Sequence, residues 1–204
     1  MSGRLALSAA LAVLALALAA PSLAAPHAPR ATPFPATVTV DNGKVTIRKR
    51  PMRIVSLSPT ATETLFAIGA GAQVVAVDDQ SEYPKRAPHS SLSGFTPNVE
   101  AIAGYRPDLV VIAYDPKGLS GALERLGITV LHQDGAKSFK GAYQQIRQLG
   151  LVTGRDAAAK RVVSGMKERI ATITKDARHG RRQDEECAGD ADGFRSSGQR
   201  SVSR

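Results

Sequence analysis

The chain has 204 residues, of which 43% are hydrophobic, so it can form one domain of ordinary size around a buried core. Its net charge is +9, but the basic residues are scattered, Trp is absent and no nucleic-acid-binding module is recognisable, which excludes nucleic acid as an expected partner. Cys187 is the single cysteine, which excludes an internal disulfide and a cysteine-cluster metal site.

The beginning of the chain predicts an exported protein. Residues 1–24 combine a short basic start, an apolar run and small residues before Ala24, a pattern typical of a cleaved secretory signal peptide. We expect cleavage near Ala24 and a periplasmic or extracellular location. The alternative is an uncleaved membrane anchor. Residues 25–36 are rich in Pro and Ala and predict a flexible leader.

The next part of the chain alternates between predicted strands and helices. Asn42-Gly43 lies between two short alternating segments and favours a tight β-hairpin. Four apolar runs, each followed by a helical pattern, then indicate parallel strands that are covered on both faces. The strands are residues 54–57, 73–77, 108–113 and 128–131, and the helices are residues 59–68, 98–104, 118–126 and 138–151. The predicted fold class is α/β, with a doubly wound, mostly parallel sheet.

An abrupt change from strand to helix lies within RIVSLSPTATETLFAIGAG, residues 53–71. Ser58 can cap the helix, and Pro59 suits its first position. The turn lies at the carboxyl edge of the predicted sheet, where doubly wound folds bind ligands. Gly69-Ala70-Gly71 follows the helix, so it predicts a helix end and not a dinucleotide-binding loop. An α/β enzyme with a nucleotide-like ligand is the alternative to a binding protein.

Two contrasting segments complete the chain. Residues 155–177 predict one long helix, because apolar residues recur at helical spacing from Ala159 to Ile173. From residue 178 this periodicity stops, and Gly, Ser, Arg and Asp dominate the composition. Residues 178–204 therefore predict a disordered tail.

These segments, in this order, resemble the substrate-binding proteins of ABC importers for cobalamin, ferric siderophores and haem, whose two lobes are joined by one long helix. The resemblance rests on RIVSLSPTATETLFAIGAG, SEYP, GFTPNVEAIAGYRPDLVVIA, LGITVL and QIRQLGLVTGR. It implies that residues 37–152 form the N-terminal substrate-binding lobe and residues 155–177 the connecting helix. It also implies a second lobe, which residues 178–204 do not match. We therefore expect a truncated or frameshifted member, and a non-functional single-lobe product is a further alternative.

The resemblance implies a protein without catalytic activity that captures a metal-chelate nutrient and delivers it to the permease and ATPase subunits of an importer. We expect a monomer that has no cofactor or metal site of its own and meets the membrane only through the permease. Glu100 matches a carboxylate that in this family meets arginines of the permease. The alternative is that Glu100 only favours the first turn of a helix capped by Asn98.

The candidate ligand contacts follow the carboxyl ends of the predicted strands. In cobalamin-binding members an aromatic side chain lies near the position of Gln80 and Tyr83, and the resemblance places Phe95 at the wall of the cleft. A flat aromatic face suits a corrin, a porphyrin or a catecholate siderophore, whereas Arg or Lys would suit an anionic siderophore. The predicted contacts are Ser58, Thr60, Gln80, Tyr83, Phe95, Tyr114, Asp115, Gln133 and Asp134.

Overall fold

The computed structural model describes residues 34–197. The predicted signal peptide, most of the predicted leader and residues 198–204 of the predicted tail lie outside the described residues. Within residues 34–197, no helix is both long enough and apolar enough to cross a membrane.

The described chain begins with the predicted hairpin. Strands β1 (Ala36–Val40) and β2 (Gly43–Ile47) pair in antiparallel register, with Val38 opposite Val45. Gly43 has a φ of +102°, a backbone conformation that glycine adopts without steric cost. The hairpin buries Val38, Val45 and Ile47 against the core, so the predicted turn is confirmed.

The central sheet has four parallel strands in the order β4-β3-β5-β6. They are β3 (Ile54–Leu57), β4 (Val74–Val77), β5 (Leu109–Ile112) and β6 (Thr129–His132). The chain runs from β3 outward to β4 and then crosses to the other side of β3 to form β5. The connections after β3 and β5 therefore leave in opposite directions, which creates a crevice beyond the carboxyl ends of these strands. The predicted parallel α/β fold is confirmed.

Helices cover both faces of this sheet. They are α1 (Pro59–Ala67), α2 (Val99–Gly104), α3 (Leu119–Arg125), α4 (Phe139–Val152) and α5 (Asp156–Ser197). Ile54 and Leu109 pack on the face shared by α1, α4, α5 and the hairpin. Val55 and Val110 pack on the opposite face with α2 and α3. Because successive strand residues bury opposite faces, the strands read as continuous apolar runs.

Helix α5 differs from its prediction at its carboxyl end. It continues to Ser197, so residues 178–197 are helical where the sequence predicts disorder. RRQDEECA, residues 181–188, consists mainly of strong helix formers, and an existing helix extends without a new nucleation cost. A loss of apolar periodicity therefore indicates a polar helix here.

Candidate functional site

A cleft of about 350 Å³ opens at the carboxyl edge of the sheet and continues between α1, α4 and α5. Its floor is apolar and is formed by Ala61, Ala67, Ala142, Ile146, Leu149, Val162 and Met166. Five of the nine predicted contacts line it, namely Ser58, Thr60, Tyr83, Gln133 and Asp134. These five residues come from three separate segments, which meet at the edge that the strand order creates.

The start of α1 forms one wall of the cleft. The hydroxyl of Ser58 is buried and accepts a hydrogen bond of 3.3 Å from the backbone N–H of Ala61. Pro59 occupies the first helical position, where no backbone N–H is needed. Thr60 is exposed beside this cap and lines the cleft. The predicted capped strand-to-helix turn is confirmed.

Gln133 and Asp134 form the opposite wall, directly after β6. The Gln133 side chain is buried, and its Nε2 donates to Oε1 of Gln148 at 2.7 Å, which fixes the amide against α4. The exposed carboxylate of Asp134 lies 2.8 Å from Nε2 of His132. The backbone N–H of Asp134 donates to Oδ2 of Asp41 at 2.7 Å. This wall is therefore held by α4 and by the hairpin turn.

The loop after β4 brings Tyr83 to the mouth of the cleft. The backbone N–H of Asp78 donates to Ser56 O at 3.0 Å, and that of Asp79 donates to Leu92 O at 2.7 Å. Burial raises the pKa of the Asp78 carboxyl above its ordinary value of 3.8, although the Ser81 hydroxyl lowers it in part. The base of the loop is thus tied to the sheet while Tyr83 stays exposed.

Gln80, Phe95, Tyr114 and Asp115 are outside the lining of this cleft. Oδ1 of Asp115 accepts a hydrogen bond of 2.9 Å from the backbone N–H of Ser120, at the start of α3. This partner turns the carboxylate towards the helix, so Asp115 has a structural contact that the sequence did not reveal. Tyr114 is exposed and is the second residue after the end of β5.

Phe95 lies close to the end of β3, although 37 positions separate it from Ser58 in the sequence. A Cβ added to Gly94 would lie 3.0 Å from the carbonyl oxygen of Leu57 and 3.1 Å from Oδ2 of Asp78. Only a residue without a side chain allows the loop to approach so closely. Phe95 therefore follows a point where the backbone touches the carboxyl edge of the sheet.

Phe139 is an exposed aromatic that the sequence reasoning missed. It is the first residue of α4, after the N-cap Ser138, and its ring lies 6.4 Å from that of Tyr143. Because α4 follows β6, its first residue lies at the carboxyl edge of the sheet. The signal that could have found Phe139 is an aromatic residue directly after a helix cap at this edge.

Four exposed aromatic residues thus follow the carboxyl ends of the parallel strands, and we name them the aromatic edge. Tyr83, Phe95, Tyr114 and Phe139 are exposed by 67%, 69%, 56% and 63%. The other aromatic side chains in residues 34–178 are all partly buried. Exposed aromatic surface is therefore concentrated on one side of the lobe.

The apolar floor was also missed as part of the site. Ala61, Thr64 and Ala67 recur every third position of α1 and present small side chains to the cleft. Val162 and Met166 of α5 close the other side. The small residues of α1 leave the space that the cleft occupies, a pattern that is readable from the sequence once the helix is assigned.

Glu100 lies in the first turn of α2 and is exposed. The helix is capped by Asn98, whose Oδ1 accepts a hydrogen bond of 2.7 Å from the backbone N–H of Ala101. An acidic residue in this turn is favourable for the helix, and its exposure also leaves the carboxylate available to a partner.

Known proteins share both sequence and fold with this chain. It is 36% identical over 156 residues to an uncharacterised ABC transporter substrate-binding lipoprotein of Bacillus subtilis, with 70% of this chain and 50% of that protein covered. It is 34% identical over 162 residues to a cobalamin-binding protein of Halobacterium salinarum, with 76% and 44% covered. The structure of an ABC-type Fe3+-hydroxamate transport system from Saccharomonospora viridis matches with a TM-score of 0.59 and 27% identity, covering 70% of this chain and 57% of that one.

The chain spans about half the length of the relatives it matches, 50% of one and 44% of the other. Residues 54–185 match the family described as periplasmic binding protein, which is a family of binding proteins and not a class of enzymes. The matched residues include the central sheet, the first residue of each of the five helices and the residues that line the cleft. The chain therefore belongs to the periplasmic binding protein family.

Proposed function

We propose that this chain supplies a substrate-binding lobe for an ABC importer, where it captures a metal-chelate nutrient outside the cytoplasm and presents it to the permease. The ligand would bind without chemical change, so the chain would not act as an enzyme. The relatives named above include substrate-binding and cobalamin-binding proteins, which supports this class of function.

The aromatic edge is the observation that carries this proposal. Each aromatic side chain can bury about 150–250 Å² of surface on contact with a ligand, and burial contributes about 25 cal/mol per Å². Four such residues on one edge, beside a cleft of about 350 Å³, suit a large ligand with a flat apolar face. The same residues scattered over the lobe would support no such conclusion.

The charge of the cleft narrows the ligand class. The charged residues in its lining are Glu63 and Asp134, and both are acidic. An acidic cleft repels the carboxylates of a porphyrin and the negative charge of a ferric catecholate. The exposed hydroxyl of Thr60 offers an uncharged donor and acceptor, which match the amide side chains of a corrin. We therefore propose cobalamin as the ligand in preference to haem and the anionic siderophores.

Isothermal titration calorimetry with a panel of ligands tests the proposal. The full chain would be titrated separately with cyanocobalamin, haemin and a ferric hydroxamate siderophore. We expect saturable binding at one equivalent, strongest for cyanocobalamin. Absence of a saturable signal with all three ligands would overturn the proposal, and tightest binding of haemin would overturn the choice of ligand.

Permease docking is proposed for Glu100. Its exposed carboxylate can form a charge-assisted pair with an arginine, which gives orientation as well as attraction. Co-purification with the cognate permease in detergent would test this contact. Charge reversal by Glu100→Arg should reduce retention, whereas Glu124→Arg, an equal change at an exposed position of α3, should not. Equal retention of the two variants would contradict docking through Glu100.

A further inference from the structure

A buried row of polar side chains joins the end of β3, the first turn of α1 and the loop after β4. Ser56, Thr62, Ser81 and Asp78 are exposed by only 0%, 0%, 1% and 3%. The Ser56 hydroxyl contacts the Ser58 carbonyl oxygen at 3.2 Å. The Thr62 hydroxyl lies 2.9 Å from the Ser56 hydroxyl and 2.9 Å from the Ser81 hydroxyl. The Ser81 hydroxyl also contacts Oδ1 of Asp78.

The row has four oxygen–oxygen contacts, but its hydroxyl groups supply only three protons. If Asp78 is ionised, the Ser81 proton points to the carboxylate. The single Thr62 proton can then serve only one of its two contacts. Two oxygens would face each other at 2.9 Å without a proton between them, which is unfavourable in a buried site.

A proton on Asp78 completes the row. The carboxyl group then donates to Ser81, and the Ser81 hydroxyl donates to Thr62. Thr62 in turn donates to Ser56, whose own proton goes to the carbonyl oxygen of Ser58. Every contact now has one proton, and no buried oxygen in the row faces another without a hydrogen bond.

The surroundings of the carboxyl act in the same direction. Burial is the largest influence and raises the pKa of Asp78, and the negative charge of Asp79 raises it further. The Ser81 hydroxyl and the backbone N–H groups of Asp78 and Ser81 oppose this effect. From β3 and α1, the row meets only the uncharged side chains of Ser56 and Thr62. Among the described residues, Asp79 is thus the charged group that acts on this carboxyl.

We propose that Asp78 keeps its proton in the folded lobe at pH values at which an exposed aspartate is ionised, and that the neutral acid acts as a positioning residue for the loop of residues 78–94. That loop carries Tyr83 to the cleft and ends directly before Phe95. Its attachment through Ser81 and Thr62 ties the position of the loop to the start of α1, the wall that holds Ser58 and Thr60. The link to ligand capture rests on the proposed function, whereas the protonation state of Asp78 does not.

Carbon-13 NMR of the aspartate carboxyl groups in the full chain measures this proton directly. The Asp78→Asn variant assigns the Asp78 signal by its absence. We expect that carboxyl to titrate above 3.8, the ordinary value for aspartate. A carboxyl that titrates at or below 3.8 would overturn the proposal.

Hydrogen exchange of residues 78–94, without ligand, tests the positioning role. Asp78→Asn replaces the acid proton with a carboxamide N–H, so we expect exchange close to that of the unchanged chain. Asp78→Ala removes the donor and should speed exchange on the order of tenfold. Glu82→Gln is the matched control, because it removes an exposed charge from the same loop without touching the row. If Asp78→Asn loosens the loop as much as Asp78→Ala, an ionised carboxylate is required and the proposal fails.

Discussion

The side-chain oxygen of Asn42 accepts a hydrogen bond of 3.2 Å from the backbone N–H of His132. The nitrogen of the same carboxamide donates to the carbonyl oxygen of Val130 at 3.2 Å. Because β6 is the outer strand of the sheet, this one side chain supplies the donor and the acceptor that a neighbouring strand would supply. The hairpin turn therefore closes the sheet edge next to the wall formed by Gln133 and Asp134.

Removal of the Asn42 carboxamide should destabilise the lobe. We expect Asn42→Ala to lower the free energy of unfolding by about 1–3 kcal/mol, because two hydrogen bonds are lost at about 0.5–1.5 kcal/mol each. Urea denaturation followed by circular dichroism measures this loss. Thr37→Ala is the control, because it removes an exposed hydroxyl contact of 2.9 Å within the hairpin and should change stability by less than about 0.5 kcal/mol. Equal losses would contradict the role of Asn42.

Two glycines in neighbouring helices should respond in opposite ways to alanine. A Cβ on Gly150 of α4 would lie 2.4 Å from the Cβ of Ala159 in α5, so Gly150→Ala should cost about 1–3 kcal/mol through overpacking. Gly165 of α5 has open space at this position, so Gly165→Ala should add up to about 1 kcal/mol through helix propensity. Thermal unfolding of both variants measures the difference. A Gly150→Ala variant as stable as the unchanged chain would refute this α4–α5 packing.

The raised pKa of Asp78 predicts how stability depends on pH. Burial raises this pKa in the folded state, so above 3.8 the unfolded chain releases the Asp78 proton before the folded chain does. The folded state then binds more protons, and the contribution of this group to stability falls as pH rises from 3.8 to the folded pKa. Above the folded pKa the contribution is constant.

Urea denaturation at a series of pH values measures this effect against Asp78→Asn, which has no proton to lose at this position. The stability of Asp78→Asn relative to the unchanged chain should rise with pH through that window. Parallel pH profiles for the two proteins would contradict a raised pKa at Asp78.

A side chain at Gly94 should destabilise the lobe, because the loop passes close to the backbone of β3 at this position. A Cβ there would lie 3.0 Å from the backbone oxygen of Leu57, so Gly94→Ala should cost about 1–3 kcal/mol. Gly104→Ala provides the comparison, since that position has open space around it. Thermal unfolding should show a clear loss for Gly94→Ala alone. The same melting temperature for both variants would argue against this contact.

Much of the fold follows from local patterns in the sequence. The strand at residues 54–57 was predicted with its observed bounds, because a buried parallel strand is a short β-branched run with a turn signal after it. Ser58 was recognisable as a cap from its place before Pro59. These features depend on neighbours in sequence, which one chain displays.

The parts of the site that depend on three-dimensional packing could not be predicted from the sequence. The polar row links Ser56 and Thr62 to Asp78, and no local pattern announces a contact between separate segments. Asp115 follows β5 as a ligand contact would, but its carboxylate accepts from the start of α3. The polar continuation of α5 shows that helix can persist where apolar periodicity ends.

The proposed function requires that the aromatic edge binds a large ligand with a flat apolar face. Its most direct test is a titration of cyanocobalamin, followed by its visible absorption, with the unchanged chain, Tyr83→Ala and Met52→Ala. Met52 is a matched control, because it is 61% exposed but precedes the amino end of β3, away from the cleft. Tyr83→Ala should raise the Kd about tenfold, since truncation of a central aromatic contact costs more than about 1 kcal/mol, whereas Met52→Ala should leave the Kd unchanged. Equal Kd values for all three proteins would contradict binding at the aromatic edge.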